Sequence, residues 1–270
     1  MKSSERTFRR KVLNFYKTHG RHHLPWRKTR DPYHILVSEM MLQQTQVSRV
    51  IPKYTQFLER FPTAQTLSDA KLSEVLKLWS GLGYNRRARM LHEAVKLIQA
   101  EYKGSFPKSV QELEKLPGVG SYTARAILVF AYNEPVVMLE TNIRSAFLHE
   151  FFKNTSGVLD AQVLSVIEAC VDTKNSREWY AALMDYGSHV KKAYQNPGRR
   201  SKHHIKQSKF RGSLREVRGK ILSLLVERSH TETLLTKETG CSSERVRDAL
   251  LGLSGDGLVV KKGRNWTLAT

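Results

Sequence analysis

The chain has 270 residues, 40% of them apolar and 26% charged, enough for one large domain or two smaller ones with a real core. Its 45 Lys and Arg against 25 Asp and Glu leave a formal net charge of +20, which points to a polyanionic partner, nucleic acid ahead of an anionic membrane; the bland reading is a basic surface kept for solubility. Two distant cysteines give neither a disulfide framework nor a zinc site, no apolar run of ~18 residues spans a membrane, and the charged N-terminus has no signal-like apolar core, so a cytoplasmic protein is expected.

Nearly every apolar segment has helical spacing. In TQVSRVIPKYTQFLERF, residues Val47, Val50, Ile51, Tyr54, Phe57, Leu58 and Phe61 recur at steps of three and four, one face of a helix. Ser109 and Glu112 have capping-box spacing and open a short helix expected to end at Leu116–Pro117. Gly118 and Gly120 then break the pattern, and YTARAILVFAY (122–132) resumes it, a tight helix–hairpin–helix. Val136 to Leu139 is a short apolar approach, after which Thr141 or Asn142 can cap a helix running from 143 to 152. Helices also fit 160–172 and 177–190, so the chain reads as all-α to residue 190.

Residues 191–209 are rich in Lys and Arg, contain no acid and carry the breaker Pro197-Gly198, which reads as a basic linker, either a flexible connector or a phosphate contact. Beyond it, helices over 214–228, 233–239 and 242–254 precede two short strands around Lys262-Gly263-Arg264, the order of a winged helix-turn-helix. Glu244, Arg245, Arg247 and Asp248 would occupy the exposed face of its recognition-type helix, and Lys261, Lys262 and Arg264 form a basic wing for DNA; protein contact is the other use of such a unit.

Three features carry chemistry. The hairpin Gly118-Val119-Gly120 and the helix start behind it present backbone N–H donors and a positive dipole end, suited to a phosphate, although a plain tight turn would look the same. Glu39 stands among Ile35, Leu36, Val37, Met40, Met41 and Leu42, where lost hydration would keep it protonated as a general acid; the other reading is a surface glutamate. Glu140 precedes a helix start, where an ionised carboxylate is favoured, with or without a catalytic role.

The motifs LPWR (24–27), SEMMLQQTQV (38–47), LWSGLGYNRRAR (78–89), LPGVGSYTARAI (116–127) and ALMDYG (182–187) resemble, in order, the MutY-like adenine DNA glycosylases of the helix–hairpin–helix superfamily, which also contains endonuclease III. The resemblance implies a base-excision enzyme of two helical lobes, a barrel at about 28–135 and a second lobe from 1–27 and 136–208, followed by the winged unit at 209–270. It implies Glu39 as the acid that protonates the departing base and Glu140 in the place of an aspartate that stabilises the sugar cation or attacks it. Tyr122 would stand where endonuclease III has a lysine; without that amine no Schiff base forms, so no strand cleavage is expected. Gln43 and Gln44 would fill the duplex, Tyr84 would wedge into the stack beside Arg86, Gly118 and Gly120 would grip a phosphate, and Asn142 would hold the backbone. Two carboxyls of opposite protonation suit a bond that breaks with positive charge on the sugar, and the flipped nucleotide explains the wedge.

Three departures qualify this expectation. The family's four cluster cysteines are missing, so no iron–sulfur cluster, cofactor or metal is expected. Glu140 replaces an aspartate. The family's C-terminal reader of 8-oxoguanine is replaced by the winged unit. The expected function is therefore a monomeric, monofunctional glycosylase acting on duplex DNA, with adenine opposite 8-oxoguanine or guanine as the first target. Thymine or uracil mismatch excision, or DNA binding without catalysis, are the alternatives.

Overall fold

The computed structural model describes residues 3–203 and 209–270; residues 204–208 of the expected basic linker, and with them the expected domain boundary, lie outside the described residues. In chain order the helices are α1 (Ser3–His19), α2 (Pro32–Leu42), α3 (Val47–Arg60), α4 (Ala64–Ser68), α5 (Leu72–Trp79), α6 (Arg86–Tyr102), α7 (Val110–Leu113) and α8 (Ser121–Tyr132). They continue as α9 (Thr141–Phe151), α10 (Asp160–Cys170), α11 (Ser176–Ala193) and α12 (Leu214–Glu227). The strand β1 (His230–Thr231) precedes α13 (Glu232–Thr239) and α14 (Ser243–Gly255), and β2 (Val259–Lys262) and β3 (Asn265–Leu268) close the chain. Two compact units result: unit 1 from 3–35, 108–114 and 119–203, unit 2 from 36–107, 115–118 and 209–270.

In unit 1, α1 buries Phe8, Val12 and Tyr16, a stripe at i, i+4, i+8. Phe8 meets the rings of Phe147 and Phe151 on α9, each with centroids 5.1 Å away, and Trp179 on α11 at 6.0 Å, all edge-on. The helix pair α9 and α11 packs so closely that a Cβ on Gly187 would be driven into the Asn142 carbonyl; only glycine admits this approach. One residue pair away, the buried Asp185 accepts from Arg21 (backbone N 2.7 Å, Nε 2.8 Å) and from Arg27 (3.2 Å), anchoring the segment that contains LPWR.

In unit 2, α4 and α5 pack on α6 and α3 on α5, around Phe57, Phe61 and Trp79. The winged unit packs α12 against α13 and α14, with an antiparallel sheet of order β1-β3-β2 at its edge. The chain thus has the all-α build with a C-terminal winged-helix-like unit that its periodicities indicate.

Four local expectations need correction. The strand β1, two residues pairing His230 with Trp266 and Thr231 with Asn265, is too short to show in sequence. Helix α7 stops at Leu113 rather than Leu116, and the N-cap of α9 is Glu140, not Thr141 or Asn142. The supposed linker begins late: α11 continues to Ala193 and Pro197–Arg200 form a 3-10 turn. Arg200 accounts for that order, because its guanidinium donates to the carbonyls of Leu148 (2.8 Å) and Phe152 (2.6 Å), closing the C-terminal end of α9.

Candidate functional site

Helix α2 is apolar almost throughout, and from Leu36 to Met41 every residue is buried. Glu39 is 7% exposed, which removes the reading of a surface glutamate. After Leu42 the helix ends and Gln43 and Gln44 follow, Gln44 exposed with a φ of +54°. Arg87, on α6, holds that end together. Its guanidinium donates to the carbonyls of Met40 (2.7 Å), Met41 (3.0 Å), Gln43 (2.6 Å) and Gly83 (2.8 Å) and to Thr45 Oγ1 (3.1 Å). Burial pushes this arginine down to about 10, with the Tyr84 phenol acting in the opposite direction, so it keeps its charge at neutral pH. One cation therefore satisfies the orphan carbonyls of α2 and ties them to the loop that carries Tyr84. Sequence reasoning passed over Arg87. The signal was present, since 87, 91, 94, 95 and 98 share one helical face and the other four are apolar.

The Tyr84 loop is built from left-handed residues, Gly81 at φ +91°, Gly83 at +74° and Tyr84 itself at +49°. The ring is 37% exposed, notable for an aromatic in a strained backbone. Arg86 beside it is exposed, its Nε 3.9 Å from the Asp256 carboxylate. The hairpin glycines divide their work. Gly118 has φ +77°, and a Cβ there would lie 2.6 Å from Met40 Cε and 2.8 Å from Met90 Cβ, so it lets the hairpin press on α2 and α6. Gly120 meets neither constraint: its φ is −89° and nothing lies within 4 Å of where a Cβ would stand. It is the N-cap of α8 with no side-chain cap, leaving the helix start open beyond the buried Val119.

In unit 1, Tyr122 is half-buried in the first turn of α8 and lines a concavity of about 590 Å³ with Arg125, Leu139, Arg144 and Asp160. Both arginines are engaged, Arg125 with the Ser121 carbonyl (3.0 Å) and Arg144 with Asp160 through two bonds of 2.9 and 2.8 Å. Glu140 caps α9: Oε1 accepts from the backbone N–H groups of Asn142 (2.7 Å) and Ile143 (2.8 Å), and Oε2 from Thr141 Oγ1 (3.0 Å) and Asn142 Nδ2 (3.2 Å). The Asn142 amide oxygen accepts in turn from Lys191 (3.3 Å). The structure thus brings Glu140, Asn142 and Lys191 together, and joins the Gln43 carbonyl and the Tyr84 ring through Arg87.

On the winged unit, Lys261, Lys262 and Arg264 are all exposed, with Lys261 Nζ 5.9 Å from the centre of the Trp266 ring. Of the expected recognition face, Glu244, Arg247 and Asp248 are exposed; Arg245 is half-buried and donates to the Gly212 carbonyl at 2.7 Å. An iron–sulfur cluster requires four thiolates, and the chain has two cysteines, Cys170 buried in α10 and Cys241 partly exposed before α14. That donor set does not fit a cluster, and among the described residues no group of three or more His, Cys, Asp or Glu is arranged to hold a metal.

Residues 37–165 match the model of the HhH-GPD superfamily base excision DNA repair protein. An adenine DNA glycosylase of Buchnera aphidicola subsp. Baizongia pistaciae is 40% identical over 182 residues, 67% of this chain and 52% of that protein. The chain is similar to adenine DNA glycosylases of the HhH-GPD superfamily. One from Mycolicibacterium smegmatis is also 40% identical, over 66% of this chain and 61% of its own length. Among solved structures, a thermostable thymine-DNA glycosylase superposes with a TM-score of 0.62 at 27% identity, covering 68% of this chain and 86% of that one. The fold over the superposed part is shared with that thymine-DNA glycosylase. The chain spans roughly half to three-fifths of the length of these two curated relatives, and the 37–165 span of the superfamily match contains Glu39, the hairpin and Glu140.

Proposed function

We propose that the chain is a monofunctional DNA glycosylase of base excision repair, hydrolysing the N-glycosidic bond of a mispaired base, with adenine opposite 8-oxoguanine or guanine as the preferred target. The observation that carries this is the burial of Glu39 in the apolar helix α2, inside the span matched by the superfamily. In the proposed reaction Glu39 delivers a proton to the departing base. Glu140, held by two backbone N–H groups, is the anion that steadies the oxocarbenium-like sugar until water attacks. Tyr122 supplies no amine, so strand cleavage does not follow excision. Gln43, Gln44 and Tyr84 enter the duplex, with Arg86 close by. Gly118, Val119 and Gly120 with the open start of α8 bind a backbone phosphate, Asn142 fixes the strand, and Lys261, Lys262 and Arg264 extend the contact. The reaction uses no cofactor, and the acting species is a monomer on duplex DNA.

The test is a labelled duplex with adenine opposite 8-oxoguanine or guanine, incubated and then heated in alkali. Wild type gives a cut strand after alkali and none before it, and Glu39→Gln gives none in either case while still binding the duplex. Absence of cleavage at A, T, U and hypoxanthine mispairs alike would leave a DNA-binding protein without catalysis. A second reading, excision of thymine or uracil opposite guanine, has in its favour the likeness to the thermostable thymine-DNA glycosylase. It predicts a cut at T·G or U·G faster than at either adenine mispair.

A further inference from the structure

The winged unit touches the loop that carries Tyr84, and the contact is specific. Arg215, in the first turn of α12, hydrogen-bonds through Nη1 to the Tyr84 hydroxyl, and its guanidinium carbon stands 5.7 Å from the centre of the Tyr84 ring. The Arg87 guanidinium stands 5.5 Å from the same centre. Two cations, one from the helical core and one from the winged unit, thus hold a single exposed aromatic.

A second set of contacts fixes the winged unit at this place. Arg89, three residues past Arg86 on α6, donates to the Asp256 carbonyl at 2.6 Å. The next residue, Gly257, has φ +64°, and a Cβ there would collide with the Arg89 guanidinium. The Asp256 side chain is paired with Arg218 of α12 and lies 3.9 Å from Arg86 Nε. The start of α12 and the end of α14 therefore both converge on the first turn of α6, which only Asn85 separates from Tyr84.

We propose that Arg215 is a positioning residue for Tyr84, and that through it the winged unit forms part of the device that opens a mispaired duplex. This rests on the glycosylase reading above. A tyrosine that must enter a base stack loses side-chain freedom on doing so, and a hydroxyl bond with a cation at the ring removes much of that loss in advance. The Arg215 contact therefore acts on duplex opening rather than on bond cleavage. Its influence is largest where the base is stacked and paired, and smallest where the base is already extruded.

The experiment uses the full chain and the mispair that wild type cleaves fastest, beside the same target base in a single-nucleotide bulge. Single-turnover excision is measured for Arg215→Met, Tyr84→Phe, Tyr84→Ala and the double variant Tyr84→Ala/Arg215→Met. Arg215→Met is expected to slow excision from the mispair about 5- to 10-fold and from the bulge less than about 2-fold. Tyr84→Phe, which keeps the ring and loses the hydroxyl, reproduces part of that loss. In the Tyr84→Ala background Arg215→Met adds nothing. The proposal is overturned if Arg215→Met leaves the mispair rate unchanged, if it slows mispair and bulge equally, or if its effect persists without Tyr84, as a simple phosphate contact would. Wild type inactive on every mispair defeats the glycosylase reading instead, which separates the two failures.

Discussion

Glu140 joins two demands on one side chain. As the N-cap of α9 it satisfies two orphan backbone N–H groups, a task performed more often by Ser, Thr, Asp or Asn. As a carboxylate it is also the anion in the proposed mechanism, and the two roles separate in Glu140→Gln. A glutamine oxygen still accepts from Asn142 and Ile143 but brings no charge. Stability to denaturant is expected to fall by about 1 kcal/mol or less, while single-turnover excision falls ~10²-fold or more. Unfolding curves and excision rates on one preparation check this, and an unchanged rate would remove Glu140 from the chemistry. Glu39 was legible as a candidate because its neighbours in sequence are apolar. The Glu140 cap was less so, since a glutamate needs an extra bend to reach N–H groups that aspartate reaches directly.

At the scale of elements, the contact between α9 and α11 decides where Glu140 and Asn142 sit. Gly187 is the residue that allows it. Gly187→Ala forces the start of α9 away from α11, with an expected loss of about 1–3 kcal/mol from overpacking. Excision is expected to drop about 10²-fold, because the capping carboxylate moves with the backbone. If the melting temperature falls and the rate per folded molecule does not, the helix start is not what places the anion. Periodicity made the major helices readable, including α8 and the three of the winged unit, because each keeps an apolar stripe long enough to count. What escaped was decided by distant partners. The order of Pro197–Arg200 comes from Arg200 reaching back to carbonyls of Leu148 and Phe152, and no local pattern announces such a bond. Arg87 escaped for the opposite reason: an arginine at a helix start reads as solvent-facing, although its spacing placed it among buried residues.

For the whole molecule, the formal charge of +20 is the feature visible before any motif. If this charge serves phosphate contact at the hairpin and the wing together, binding to an undamaged duplex should weaken by about 10³-fold or more between ~50 and ~200 mM salt. Fluorescence anisotropy across that range measures it, and a much shallower dependence would mean that most of the cations face away from DNA. Neutralising the wing with Lys261→Gln and Lys262→Gln should reduce the slope by about two contacts if these residues take part.

The two thiols differ sharply in their surroundings. Cys170 is fully buried, and burial together with the nearby Glu5 carboxylate pushes its thiol up to about 11. Cys241 lies partly open at the turn before α14. A maleimide dye added to the native protein is consequently directed to one position, beside the recognition-type helix. The wild-type chain therefore offers a ready attachment point for a fluorophore that reports on the winged unit during the binding measurements proposed above.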